Sequence, residues 1–405
     1  MSTLEVEYFG PIKKADVEIK KVTVFIGNQG SGKSTLAKLI STFSWMEKYF
    51  FRDGYSLEKR KELNKNLLKF LDYHRIENYL QGKTKIKYTG EAFGIIVYYD
   101  EEGRRCMRAK ETNKQFILPK ITYFPAERNF VSSIKNTKEG QNFNLWSRSL
   151  QEFKEFFQEA KEDIKEIIKL PINNTELEYN QFNDTLYVRN NDYKIPLSDA
   201  ASGFQSFVPM YLVAKYVNSL LKNEYEMSGK EREKFKKESA AIFSNPEYTD
   251  EQKRILLSLL AGKINIKRTM NIIEEPEQNL FPAAQRKMLN SLLEFNNSAA
   301  ENQLIITTHS PYIINYLMLA IKAAEIKGKA NGNAEIESKI NEIVPLGSLI
   351  SLKDVVIYEV NDDGTINELQ QSYGLPSNEH FLNNELGESN TLFSDLIEIE
   401  DLCAQ

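Results

Sequence analysis

The chain has 405 residues, 41% of them hydrophobic and 27% charged, which is enough for one large domain with insertions or for two domains. A net charge of −5 and a pI near 5.6 argue against a uniformly basic nucleic-acid coat, and no apolar run reaches the roughly eighteen residues of a membrane helix. Cys106 and Cys403 lack metal-ligand spacing, and three histidines are too few for a histidine-rich metal centre or an HNH-type nuclease; with no signal-peptide core, a cytoplasmic location is expected.

Leu4–Ile19 holds two alternating runs, LEVEYF and ADVEI, joined at Gly10-Pro11, which predicts a β-hairpin. Lys21–Leu39 follows as KVTVFIGNQGSGKSTLAKL. Val22, Val24 and Ile26 belong to a β-branched run that reads as a buried strand. The next residues, Gly27, Asn28, Gln29, Gly30, Ser31, Gly32, Lys33 and Ser34, match G-x-x-x-x-G-K-[ST] at every fixed position, and Thr35 opens a helix. Glycines let backbone N–H groups curl around phosphate oxygens, and the helix N-terminus adds partial positive charge. Lys33 would reach the β/γ-phosphates and Ser34 would ligate Mg²⁺, so the chain is expected to bind a nucleoside triphosphate.

Phe43–Leu80 is charged and helix-prone and reads as an inserted helical hairpin, and Lys83–Arg108 is strand-like. Ile117–Phe130 contains a short apolar strand ending in Pro125-Ala126-Glu127-Arg128, a charged pair facing either nucleotide or solvent. Leu145–Leu170 carries apolar residues at helical spacing until Pro171 stops it, and Leu177–Ile195 alternates as a hairpin turning at Asn190-Asn191-Asp192. Ser202-Gly203 then precedes an amphipathic helix, a second potential phosphate-binding element. Asn223–Lys267 is a polar helical insertion.

In Arg268–Pro282 the strand around Met270, Ile272 and Ile273 ends in two carboxylates, Glu274 and Glu275. Adjacent acids at a buried strand end need partners. Glu274 would hold the metal shell directly or through water, and Glu275 would polarise the water that attacks the γ-phosphate. Asn302–Ile314 gives another buried strand ending in Thr307, Thr308, His309 and Ser310, which makes His309 a candidate γ-phosphate sensor. Asp354–Leu369 reads as a hairpin with Asp363-Gly364 in its turn, followed by an acidic tail; no Asp-x-Asp of a Toprim-type nuclease is present, and Asp362 and Asp363 look like turn residues.

This order of motifs resembles the ABC-type ATPases, and more narrowly the soluble SMC-like branch that includes the ATPase domains of OLD-family proteins and of bacterial anti-phage ATPases. The likeness rests on YFGPIKKADVEI, TVFIGNQGSGKSTL, YFPAER, EEPEQNLFP and TTHSPYII, and covers about 1–45, 115–220 and 265–370. It implies an α/β P-loop NTPase with a mixed sheet core, N-terminal antiparallel strands and helical insertions. The whole chain would then be one ABC-type ATPase domain, with insertions at 46–114 and 223–265, an arm at 130–195 and a tail at 370–405.

The resemblance makes Gly27–Ser34 the Walker A loop, with Lys33, Glu275 and the switch histidine His309 as catalytic residues. Ser34 and Glu274 would hold Mg²⁺, and Pro276–Leu280 would be the D-loop. Ala201–Gln205 aligns with the signature loop, where Ser202, Gly203 and Gln205 complete the ATP site of a second subunit. The sequence departs from the family pattern in three places: Glu274 replaces the Walker B Asp, Phe204 replaces a signature glycine, and Glu127 or Arg128 stands where a Q-loop glutamine is expected. Phe281 also occupies a place where relatives often have His.

The function this implies is a homodimeric or higher homo-oligomeric ATPase whose ATP-driven pairing controls a separate effector, a nuclease or toxin, in bacterial anti-phage defence. The alternatives are an ATP-dependent DNA clamp in repair or recombination, a slowly hydrolysing nucleotide-bound scaffold, and a transporter's nucleotide-binding subunit.

Overall fold

Strand β3 (Val22–Gly27) is buried along its whole length because it is covered on both faces. Val22, Val24 and Ile26 point into one apolar cluster, whereas Phe25 points into another on the opposite side of the sheet. The computed structural model describes residues 2–53, 67–113, 116–133, 146–221 and 267–369, with isolated residues at 237–246 and 371–396. The expected insertion at 223–267 and the acidic tail lie almost wholly outside the described residues.

The first two strands, β1 (Ser2–Phe9) and β2 (Ile12–Ile19), form the predicted hairpin, with Gly10 at φ +55° in its turn. After β3, helix α1 runs over Lys33–Asp53. The helical hairpin expected over Phe43–Leu80 is seen only in part: α1 supplies its start, residues 67–72 are helical, and 54–66 lie outside the described residues. The strand-like stretch beyond it becomes β4 (Leu80–Thr89), β5 (Phe93–Tyr99) and β6 (Arg105–Glu111). These strands extend the N-terminal hairpin into one antiparallel sheet of order β2-β1-β4-β5-β6.

The central sheet gathers β7 (Pro119–Phe124), β12 (Arg268–Glu274), β13 (Gln303–Thr308), β14 (Val355–Val360) and β15 (Ile366–Glu368) around β3, in the order β15-β14-β3-β13-β12-β7. All neighbours are parallel except β15, which closes the predicted hairpin with β14. Helix α1 is sandwiched between this sheet and the antiparallel one. Its Leu36, Leu39, Ile40, Phe43 and Met46 share a core with Val6, Ile86, Ile95, Ile272 and Ile305. Buried Glu47 ties the layers together: Oε1 accepts from the Ala92 and Phe93 amides at 2.6 and 3.1 Å, and Oε2 accepts from the Tyr88 hydroxyl at 3.0 Å.

Four helices pack against the other face: α2 (Arg148–Glu162), α3 (Ser202–Ser219), α4 (Pro282–Asn296) and α5 (Pro311–Lys329). A further helix, α6 (Ala334–Ile343), leads towards β14. Helix α2 is shorter than its apolar spacing predicts. It ends at Glu162, and Ile168–Lys169 forms β8 against β9 (Glu176–Asn180). The β-branched cluster Ile164, Ile167 and Ile168 suits an extended pairing better than another helical turn. The predicted hairpin gains an extra turn at 181–184: β9 pairs with β10 (Thr185–Arg189), and β10 pairs with β11 (Lys194–Pro196) around Asn190-Asn191-Asp192.

Candidate nucleotide site

Parallel register brings the chemistry to one edge of the central sheet. Glu274 lies opposite Thr307, which lies opposite Phe25, so β12, β13 and β3 end at the same level. The loop after β3 therefore faces both acids and His309, residues separated by more than two hundred positions in the chain.

Two glycines of the loop are required by what surrounds them. A Cβ on Gly27 would lie 2.4 Å from the Val360 carbonyl oxygen of β14, and Gly32, at φ +114°, would place one 2.4 Å from the Ile12 side chain. Asn28, Gln29 and Gly30 are exposed at the loop tip, whereas Ser31, Gly32, Lys33 and Thr35 are buried and Ser34 is half-buried. The Asn28 side-chain amide donates to Asp362 Oδ2 at 3.0 Å. Asp362 thus braces the loop, while Asp363 is the turn residue the sequence predicts, accepting from Thr365.

Lys33 curls back over the loop, its ammonium donating to the Gly27 and Asn28 carbonyls at 2.7 Å each. Burial lowers its pKa to about 8 against the opposing pull of Glu275, Glu277 and Asp362. The same ammonium stands 3.4 Å from His309 Nδ1. With Nδ1 facing a cation, the imidazole proton is assigned to Nε2, which faces Glu275 Oε1 at 3.4 Å. This contact is the main reason the Glu275 carboxyl titrates below the usual range.

Glu274, 5% exposed, accepts from the Ser34 hydroxyl at 2.6 Å and from Tyr123 on β7, with Lys38 Nζ 3.9 Å away. Glu275 adopts φ +44°, an uncommon value for a residue with a side chain, and its amide donates to the Thr307 carbonyl at 2.9 Å. Glu277 fastens the neighbouring strand end: its Oε1 accepts from Thr308 Oγ1 at 2.7 Å and from the His309 amide at 2.8 Å. Its other oxygen is buried without a hydrogen-bond partner, and burial raises its pKa.

The second loop takes a different place. Ser202 is exposed at the N-terminus of α3, Gly203 packs against the Asn279 carbonyl, and Phe204 is buried in the core. Gln205 turns back on its own loop and donates to the Ser198 and Ala200 carbonyls. Among the described residues, no hydrogen bond joins Ser202 or Gly203 to the loop at 27–35. Of the two residues considered for the Q-loop place, Arg128 is wholly buried, whereas Glu127 is exposed and lines a cleft of about 320 Å³ with Lys38, Tyr123 and Glu274.

The sequence gives no role to Tyr123 or Thr308, marks Asp362 only as a turn residue and takes Glu277 only as part of a loop. Tyr123 lies on β7 and Asp362 in the turn that follows β14, and only the strand order reveals which acid or loop each meets.

The family model of the AAA ATPase domain matches residues 1–201 and 47–314. The chain belongs to that family. This AAA ATPase binds and hydrolyses ATP. No curated protein matches it. Solved structures similar to this ATPase include the SMC head domain from Thermotoga maritima (12% identity, 78% of this chain and 90% of that chain, TM-score 0.31). The recombination mediator RecF is similar at 11% identity, covering 91% of this chain and 97% of that one, with a TM-score of 0.32. A dimeric bacterial ABC transporter cassette is similar at 12%, covering 91% and 100%, with a TM-score of 0.27. At those values the family assignment rests on the sequence match. Among the described residues, no helix of this ATPase is long and apolar enough to cross a membrane.

Proposed function

We propose that the triphosphate lies along Gly27–Thr35, with the Lys33 ammonium leaving its two carbonyls for the β/γ-phosphates. The buried Ser31 hydroxyl, which has no hydrogen-bond partner, supports a loop built around an anion. Ser34 and Glu274 are hard oxygen donors already in contact, a donor set suited to Mg²⁺. Among the described residues, no three His, Cys, Asp or Glu side chains gather as a metal cluster, so phosphate and water would complete the shell. Bound there, Mg²⁺ would neutralise charge developing on the phosphates.

Glu275 orients and polarises the attacking water, and His309 reads the γ-phosphate between Lys33 and Glu275. The observation that carries this reading is the Lys33–His309–Glu275 chain, in which the start of α1 and the turns that follow β13 and β12 contribute one residue each at 3.4 Å separations. The test is turnover and nucleotide binding measured side by side. Glu275→Gln should bind ATP normally and hydrolyse it on the order of a hundredfold more slowly or worse. Lys33→Ala should lose nucleotide binding. Normal hydrolysis in Glu275→Gln would remove it from this role.

Ser202, exposed at a helix N-terminus, and the half-buried Gly203 beside it make no hydrogen bond to the loop at 27–35 of their own chain, and suit a site completed by a second copy of the chain. We read the chain as one ATPase domain that pairs around ATP and separates on hydrolysis, switching a separate nuclease or toxin in anti-phage defence. DNA or RNA cleavage by the purified chain alone would overturn the separate effector.

A further inference from the structure

Arg128 lies four residues beyond the end of β7 and is 0% exposed. A guanidinium removed from water is costly unless its donors are satisfied, and burial pushes its pKa down to about 10, which leaves it charged at neutral pH. Its hydrogen-bond partners are carbonyls, not carboxylates. Nη1 donates to Glu274 O at 2.6 Å and to Pro125 O at 3.2 Å, and Nη2 donates to Glu275 O at 2.6 Å.

The strand register explains why those carbonyls need a donor. β7 pairs with β12 only as far as Phe124 opposite Ile273, so on the β7 side the carbonyls of Glu274 and Glu275 run past the last paired residue. Successive carbonyls of a regular strand point in opposite directions. Here both converge on one guanidinium because Glu275 turns into the left-handed region at φ +44°. The planar fork of an arginine can hold two acceptors at once, which a single ammonium does less well.

We propose that Arg128 is a positioning residue for hydrolysis, holding the main-chain turn that aims the Glu275 carboxylate at His309. The proposal rests on the reading of Glu275 as the group that polarises water. It replaces the expectation that Arg128 stands in for a Q-loop glutamine at the nucleotide, since the side chain is buried and both terminal nitrogens are engaged. The loop at 27–35 makes no hydrogen bond to Arg128, so the effect should fall on turnover and leave affinity alone.

The experiment compares Arg128→Met, Arg128→Lys, Glu275→Gln and the double variant Arg128→Met/Glu275→Gln, by steady-state ATPase, fluorescent-nucleotide binding and thermal melting. Arg128→Met should lower kcat by about tenfold or more with KM and nucleotide Kd within about twofold of wild type. Arg128→Lys, which keeps charge and one carbonyl contact, should recover part of that loss. The double variant should be no slower than Glu275→Gln alone, because both changes act through one carboxylate.

Wild-type kcat in folded Arg128→Met overturns the proposal, as do parallel changes in KM and kcat, or a double variant slower than Glu275→Gln by the full Arg128→Met factor. Failure of both Arg128 variants to fold makes the residue a structural staple and also overturns it. Wild-type turnover in Glu275→Gln overturns the Glu275 assignment instead, and so separates the two readings.

Discussion

At the residue scale, the site is a set of side chains held by main-chain contacts from both sides. Arg128 grips the carbonyls at the end of β12, while Glu277 grips the Thr308 hydroxyl and the His309 amide at the end of β13. The 3.4 Å approach of Glu275 to His309 depends on both ends staying in place. Glu277→Gln keeps an oxygen able to accept both bonds and should retain most turnover. Glu277→Ala leaves two donors unpaired and should lower kcat by about tenfold with little change in nucleotide affinity, read from the same binding and turnover assays. Equal effects of the two substitutions would show that the acceptor oxygen is not what matters. The two-acid motif was legible from composition and spacing, but the grip of Glu277 was not. Its partners lie on a strand more than thirty residues away in the chain, and nothing local marks them.

At the element scale, α1 does two jobs. Its N-terminus carries Lys33 and Ser34, and its middle joins the central sheet to the antiparallel one through Glu47. Burial raises the Glu47 pKa above the ordinary carboxylate value of 4.5, so the folded chain holds a proton there that the unfolded chain has released. That contribution is fully present below pH 4.5 and is lost as pH rises through the folded pKa. Glu47→Gln keeps an acceptor for the Ala92 and Phe93 amides and does not titrate. Its melting temperature relative to wild type should therefore climb as pH is raised from 4.5 towards neutrality. A pH-independent difference between the two proteins would refute the linkage. The strand-like composition of Lys83–Arg108 was readable in the sequence, but its sheet was not: the residues that pair with it, in β1, come before the Gly27–Ser34 loop. The early end of α2 had no clear sequence signal either, because isoleucines at helical spacing also suit the short strand they form.

At the scale of the whole molecule, two layers of sheet enclose α1 and place the Gly27–Thr35 loop at one open edge, while Ser202 stands exposed on the helical side. If a second copy completes the site, Glu275→Gln with ATP and Mg²⁺ should double in mass by light scattering and remain monomeric without nucleotide. Ser202→Arg in that background should still bind ATP but fail to pair, since an exposed serine can be enlarged without disturbing the core. A dimer that ignores ATP, or one indifferent to Ser202→Arg, would exclude a composite site.

The sequence alone determined the phosphate loop, the two acids ending one strand and the histidine ending another, because each motif is local: a few adjacent residues with a periodicity that names the element beneath them. Only the tertiary structure decided how those pieces meet. Parallel register levels β3, β12 and β13 so that Lys33, His309 and Glu275 form a chain, and β7, stopping short of the end of β12, leaves two carbonyls for Arg128. Register and strand order arise from packing between distant segments, and no short stretch of sequence contains both partners.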